Sequence, residues 1–314
     1  MRSAEARYRA LVRVLPAWYR AERGDEMVGT LLDLHEERDR AALWGELRAL
    51  LALGLRTRLA ARAAPARTVA FGDLVRHVSL LGLLWGVLRS ACDVGYTLWM
   101  LVAFSGPYPG AFHSALVSGL SRDLVLLAVA LIPLVLLVDG WRRTARIAAG
   151  AILAAGALWF LVRHSFDPGA AGYFAPQWLP LVLVLAGFHV DAPSPPSRPW
   201  WRIIGGSLVL APVLALRFGL PGDLGWFAGL SPLVWLCALA GAGYLLVRPR
   251  TGPRPAWTLA LAVGIGLAVT HYVVRKNGIL PFDVVVLAQV CCAGAIVVAL
   301  AVVGIRDYRR AVAN

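Results

Sequence analysis

The chain has 314 residues, 59% of them hydrophobic and 16% charged, with a mean hydropathy of +0.68. Soluble globular domains carry about 25% charged residues, so the composition excludes an ordinary water-soluble fold and predicts an all-α, polytopic membrane protein. A net charge of +13 would suggest nucleic acid in a soluble protein, but here the basic residues flank apolar runs, so no nucleic-acid partner is expected.

Residues 1–67 hold 13 arginines and nine acidic residues, including every glutamate of the chain, whereas the other nine acids are aspartates scattered over residues 68–314. This asymmetry sets a domain boundary near residue 67, with a small cytoplasmic helical bundle before it and a transmembrane helical bundle after it. The opening MRSAEARYRALVRV has Arg7, Arg9 and Arg13 where a signal peptide needs an unbroken apolar stretch, so no cleavage is expected. Leu11, Val14, Leu15 and Trp18 recur at helical spacing, and Pro16 suits the first turn of the next helix. Gly24 before Asp25 reads as a helix stop and a fresh N-cap, with Glu26 at the positive end of the new helix dipole. Met27, Leu31 and Leu34 form one apolar face, and Leu43, Leu47, Leu50 and Leu51 another with arginines opposite, which predicts three or four helices. The HEERD run at 35–39 lacks a second histidine four residues on, so it reads as a solvated helix end and not as a zinc-protease signature.

Crossing about 30 Å of hydrocarbon takes about 20 apolar residues at a rise of about 1.5 Å each. Such windows predict about eight spans, near 79–104, 122–138, 144–163, 177–190, 202–218, 226–247, 256–274 and 283–305. The fourth and fifth are short and flank DAPSPPSRPWW, which a proline-rich linker explains without further structure. Six or seven spans remain the alternative. With a cytoplasmic N-terminus, Arg142, Arg143, Arg146, Arg198, Arg202, Arg248, Arg250, Arg254, Arg306, Arg309 and Arg310 fall at inner connections. Only Arg122, Arg163, Arg217, Arg275 and Lys276 lie near outer ones. That bias predicts an inner-membrane protein with both termini cytoplasmic. Trp141, Trp200, Trp201, Trp226 and Trp257 fall at span ends, as aromatic belts do.

Arg89 and Asp93 share one helix face near the middle of the first span. A charge at that depth costs about 2.5–3.5 kcal/mol on insertion scales, so pairing or a watery cavity is required. An intramembrane ion, proton or headgroup site, a structural ion pair, and a tilted helix with both residues at an interface are all open. His113, Asp123, His164, Asp167, His271 and Asp283 gather on the outer side, where a metal or acid/base site is conceivable, but their spacing matches no ligand motif. His189 and Asp191 belong to the cytoplasmic side. Cys92, Cys237, Cys291 and Cys292 have no metal-ligand spacing and read as small buried hydrophobes. The glycines of GAGY at 241–244 and GIG at 264–266 suit close helix packing, and Pro133, Pro212 and Pro232 fall inside apolar runs where kinks are tolerated. No phosphate loop is present, so any ATPase is another chain, and no cofactor is expected.

The string YRALVRVLPAWYRAERGDEMVGTLLD carries a further signal in Leu15-Pro16, Trp18-Tyr19, Arg20, Arg23 and Gly24-Asp25-Glu26-Met27. It resembles the short helical prefix of many actinobacterial membrane proteins and of some ABC-type permeases, and is similar to the HAAS-type domains that accompany PadR-family regulators. The resemblance covers about 60 residues at the N-terminal end and implies a cytoplasmic interaction or signalling module. The use of a single lysine, Lys276, among 31 basic residues agrees with a GC-rich bacterial genome. A permease with this prefix would also carry a large extracytoplasmic domain, which these short outer loops do not provide. The expected function is therefore a non-enzymatic signalling, regulatory or scaffold protein embedded in the lipid bilayer, which docks a cytoplasmic protein through residues 1–62. The alternatives are a transporter or permease subunit using Arg89 and Asp93, and an intramembrane enzyme acting on a lipid.

Overall fold

A computed structural model describes residues 2–37, 42–59, 64–103, 110–164, 168–189, 192–219, 232–251, 254–276 and 284–313. Among them helices joined by short turns and connections account for the ordered elements, in the order α1 (Arg2–Val12), α2 (Ala17–Glu37), α3 (Ala42–Arg58), α4 (Ala66–Ala103), α5 (Gly110–Val138), α6 (Arg142–His164), α7 (Pro168–Gly187), α8 (Ser197–Gly219), α9 (Pro232–Thr251), α10 (Pro255–Lys276) and α11 (Val284–Ala313). Internal contacts divide the chain into Met1–Asp73 and Leu74–Asn314, so the division falls within α4, a few residues beyond the change in acid composition.

In the N-terminal unit, Tyr8, Val12, Leu15, Val28, Leu31 and Leu50 form a buried core shared by α1, α2 and α3. Pro16 has no amide hydrogen to give, but its carbonyl accepts from Arg20 N at 3.0 Å and so opens α2 at Ala17. The preceding turn is held from a distance: Arg58 Nη2 at the end of α3 donates to Val14 O at 2.9 Å. Two expectations are corrected here. α2 runs unbroken through Gly24 and Asp25, because the face bearing Tyr19, Met27, Val28 and Leu31 continues across them and outweighs the cost of about 1 kcal/mol for a helical glycine. Leu51, expected to point inward, is 50% exposed, while its neighbour Leu50 is buried, since consecutive helical residues diverge by about 100°. The side chains of Leu34 and Leu43 lie outside the described residues.

In the second unit, four helices contain stretches long and apolar enough to cross a membrane: Ala66–Ala103, His113–Val138, Arg142–Val162 and Val286–Ala311. Shorter apolar stretches occupy Gln177–Gly187, Val234–Arg248 and Pro255–Thr270. Apolar side chains also cover outward faces, for instance Ile147, Leu158 and Val162 on α6 and Val298, Val302 and Ile305 on α11, a surface that water would penalise. The helices outgrow the apolar windows at several ends: α4 starts at Ala66 and α5 at Gly110, because helix continues into polar sequence that a hydropathy window leaves out. Residues 226–231 of the expected sixth span lie outside the described residues, and Pro232 opens α9, where its missing amide hydrogen costs nothing. Pro133 and Pro212 do lie inside α5 and α8.

One core joins Leu83 and Val87 of α4, Leu134 and Leu137 of α5, Ala145 and Ala149 of α6, Leu181 and Val184 of α7, and Ile204 of α8. A second joins Ala262 and Ile265 of α10 to Leu300 of α11. Gly241 of α9 serves that second core, since a Cβ there would lie 2.7 Å from Ile265 Cδ1. α5 stops sharply. Gly140 at φ +83° receives the turn, with Trp141 N bonded to Leu136 O at 2.8 Å and Gly140 N to Leu137 O at 3.1 Å, the paired bonds of a Schellman C-cap. The proline-rich connection after α7 is more than a linker. Arg142 donates to Ala192 O and, at 3.3 Å, to Ser194 Oγ, and Trp201 Nε1 donates to Asp139 Oδ1 at 3.2 Å. Trp200 is buried and stacks on Trp257 at 6.0 Å, so it belongs to the core and not to an aromatic belt, whereas Trp141 and Trp201 are exposed. Cys291 and Cys292 are likewise exposed, contrary to the expectation of burial.

Candidate functional site

Ser79, Gly82, Gly86, Ser90, Asp93 and Thr97 succeed one another at intervals of three or four along α4 and therefore share a face. Two glycines set how closely that face is approached. A Cβ at Gly82 would sit 2.5 Å from Pro180 Cγ of α7, and one at Gly86 would sit 2.9 Å from Ala130 Cβ of α5. This is the close backbone approach that a G-x-x-x-G spacing permits between apolar helices. The opposite side of α4 is pinned to α8, with Cys92 Sγ donating to Ala211 O at 3.0 Å and Gly95 against Pro212.

Beside the two glycines the helices part to leave a cavity of about 40 Å³. Its polar lining includes Arg89 and Ser90 from α4 and Gln177 from α7, facing Leu126 and Val129 of α5. Arg89 Nε lies 3.7 Å from Asp93 Oδ2, and the two side chains are 12% and 36% exposed. That separation makes an ion pair without a hydrogen bond. One turn further, Thr97 Oγ1 donates to Asp123 Oδ2 at 3.1 Å, while Arg122 Nε and Nη2 reach Asp123 Oδ1 at 3.2 and 3.1 Å. Asp123 is 3% exposed, so its charge is held by a hydroxyl on one oxygen and a guanidinium on the other. Arg122 extends outward with its side chain largely exposed, as arginines do when their stem crosses apolar surface. The result is a polar seam: Arg122, Asp123, Thr97, Asp93, Arg89 and the cavity.

The expected outer cluster is only partly described. His113 is exposed on α5 and Asp123 is buried in the seam; ten residues along a helix separate them by about 15 Å. The side chains of His164 and His271, and all of Asp167 and Asp283, lie outside the described residues, as does Asp191. His189 is buried just beyond the end of α7 at Gly187. Among the described residues no group of three or more metal-ligating side chains comes together. The prefix residues serve the N-terminal fold: Leu15 is core, Trp18 meets Tyr19 edge-to-face at 5.5 Å, and Arg23, Asp25 and Glu26 are exposed.

Sequence reasoning passed over Gly82, Gly86, Ser90, Thr97 and Gln177. The GLLWG string at 82–86 was a readable packing signal. Thr97 and Gln177 had none, because their partners are remote in sequence. A second buried ion pair, between Arg248 of α9 and Asp307 of α11, was also missed; Asp307 is 1% exposed at its side chain, and Arg248 Nε reaches its Oδ2 at 3.1 Å. Compared with known families, characterised proteins and solved structures, the chain matches no family model, no characterised protein and no solved structure.

Proposed function

We propose that the chain is a bacterial inner-membrane protein in which α4–α11 form eight spans and the N-terminal helical module docks a cytoplasmic protein. The observation that carries this reading is the module's independence: it is a compact unit with its own core, and its exposed surface is built beyond what that core needs. On α2, Glu22, Asp25, Glu26 and Asp33 form an exposed acidic ridge, and on α3 the exposed pair Leu51 and Leu55 stands among Arg48 and Arg56. The resemblance of residues 8–33 to the helical prefixes of actinobacterial membrane proteins and some ABC-type permeases supports the same reading. Pull-down from native membranes tests it. Full-length protein should retain a cytoplasmic regulator or ATPase that is lost both with residues 1–62 removed and in Leu51→Asp/Leu55→Asp; identical sets of co-purifying proteins from all three would sink docking.

A second reading, a transporter or permease subunit, is favoured by the Arg89–Asp93 pair beside a cavity. The Schellman stop puts one end of α5 at Val138. Gly86 abuts Ala130, eight residues or about 12 Å from that end. Arg89, one turn further, then lies about 16 Å in, the middle of a bilayer core of about 30 Å. A transporter loses activity on Asp93→Asn; a protein that only docks a partner keeps its phenotype.

A further inference from the structure

We infer that the cavity between α4, α5 and α7 is a binding site for a small monovalent anion, loaded together with one proton on Asp93. The inference rests on the second reading to the extent that it uses the same residues, but it requires binding and not transport.

The sign of the ligand follows from the lining. Arg89 is the charged residue that borders the cavity, and its neighbours there, the Ser90 hydroxyl and the Gln177 carboxamide, both carry hydrogen-bond donors. A cation placed against a guanidinium in so apolar a setting is repelled, and an anion is attracted more strongly than it would be in water. The size follows from the volume. About 40 Å³ is several times the roughly 10–15 Å³ that one water requires, which admits a halide or an ion of a few atoms and excludes a sugar or a whole lipid headgroup. The glycine approaches at Gly82 and Gly86 draw α4 close to α7 and α5 along one edge of this volume.

The proton follows from charge balance. With Asp93 ionised, Arg89 and Asp93 are neutral together, and an added anion leaves one uncompensated negative charge deep among apolar helices. Protonation of the Asp93 carboxylate, which forms one O–H bond and breaks none in the protein, restores neutrality and turns the Arg89 charge to the ligand. Among the described residues, the other titratable groups near this point already have partners. On α5, Asp123 is held by Thr97 and Arg122. On α4 the Cys92 thiol is bonded to Ala211 O of α8, and α7 contributes the uncharged Gln177. Asp93 is also the more exposed member of its pair.

One proton taken up per anion means that apparent affinity rises by up to about tenfold for each unit of pH lowered. The test is calorimetric titration of purified full-length protein with sodium bromide against gluconate at constant ionic strength, between pH 5 and pH 8. Expected are saturable binding that tightens as pH falls, loss of that binding in Arg89→Gln, and in Asp93→Asn an affinity as tight as the wild type at pH 5 with no pH dependence. Arg89→Lys, which preserves the charge, should keep weakened binding and serves with the melting temperature to separate a lost site from a lost fold. No saturable uptake by the wild type, equal binding by Arg89→Gln and wild type, or pH dependence retained in Asp93→Asn would each overturn the inference. Chloride flux into proteoliposomes separates it from the transport reading: binding without flux supports the site and removes transport, while flux indifferent to Arg89→Gln removes the site and leaves transport.

Discussion

Asp123 shows how a buried charge is kept: one oxygen takes the Thr97 hydroxyl and the other the Arg122 guanidinium. Thr97→Val preserves the shape and deletes the donor, so it should cost about 1–3 kcal/mol and lower the melting temperature in detergent, whereas Thr97→Ser should stay near the wild type. The pair between Arg248 and Asp307 predicts a ranking. Arg248→Gln strands a carboxylate that is 1% exposed at its side chain and should cost about 3–5 kcal/mol. Asp307→Asn leaves instead a guanidinium with partial access to the surface and a long stem by which to reach it, so it should cost less; equal losses would contradict the assignment of burial to the aspartate. Both pairs also mark what a sequence conceals. Arg89 and Asp93 were legible because four residues on a helix bring them together, while Thr97 and Asp123 lie 26 residues apart and meet only after α4 and α5 pack.

Where helices exist was readable from apolar windows; where they end was not, because the ends are decided by caps and packing. Asp139-Gly140 stops α5 through a left-handed residue and two backbone bonds, yet the glycine at position 24 stops nothing, since α2 keeps its buried face on both sides of it. The two kinds of helical glycine can be told apart by substitution. Gly29 of α2 has nothing within 4 Å of the position a Cβ would take, so Gly29→Ala should stabilise the N-terminal unit by about 0.5–1 kcal/mol through lost backbone entropy in the unfolded chain. Gly86 meets Ala130 Cβ at 2.9 Å, so Gly86→Leu must push α4 and α5 apart and should cost about 1–3 kcal/mol or more. Thermal unfolding of the two variants in one detergent reads both signs; a neutral Gly86→Leu would mean that the helices do not approach as closely as the glycine requires.

At the level of the molecule, composition predicts a helical membrane class, and the described residues are helical with four stretches long and apolar enough to cross a membrane; the inequality of acids before and after residue 67 predicts two parts. The contacts divide the chain at Asp73, a few residues past residue 67 and inside the continuous helix α4. Topology is the property that neither composition nor packing decides, and it is open to direct measurement. On the proposed reading eight crossings, an even number, return the C-terminus to the side of the N-terminus, and the positive-inside rule would then put the exposed arginines Arg306, Arg309 and Arg310 in the last turns of α11 at the cytoplasmic side. The same proposal puts the turn at Asp139–Trp141, followed by Arg142 and Arg143, on the cytoplasmic side, and the start of α5 at Gly110 on the other. Alkaline phosphatase fused after residue 313 or at the 139–141 turn should be inactive, and fused within 104–109 active, with the opposite pattern for a fluorescent protein. An active phosphatase at the C-terminus together with an inactive one at 139–141 would require an odd number of crossings and take one of the shorter apolar helices, α7, α9 or α10, or α8 between them, out of the membrane.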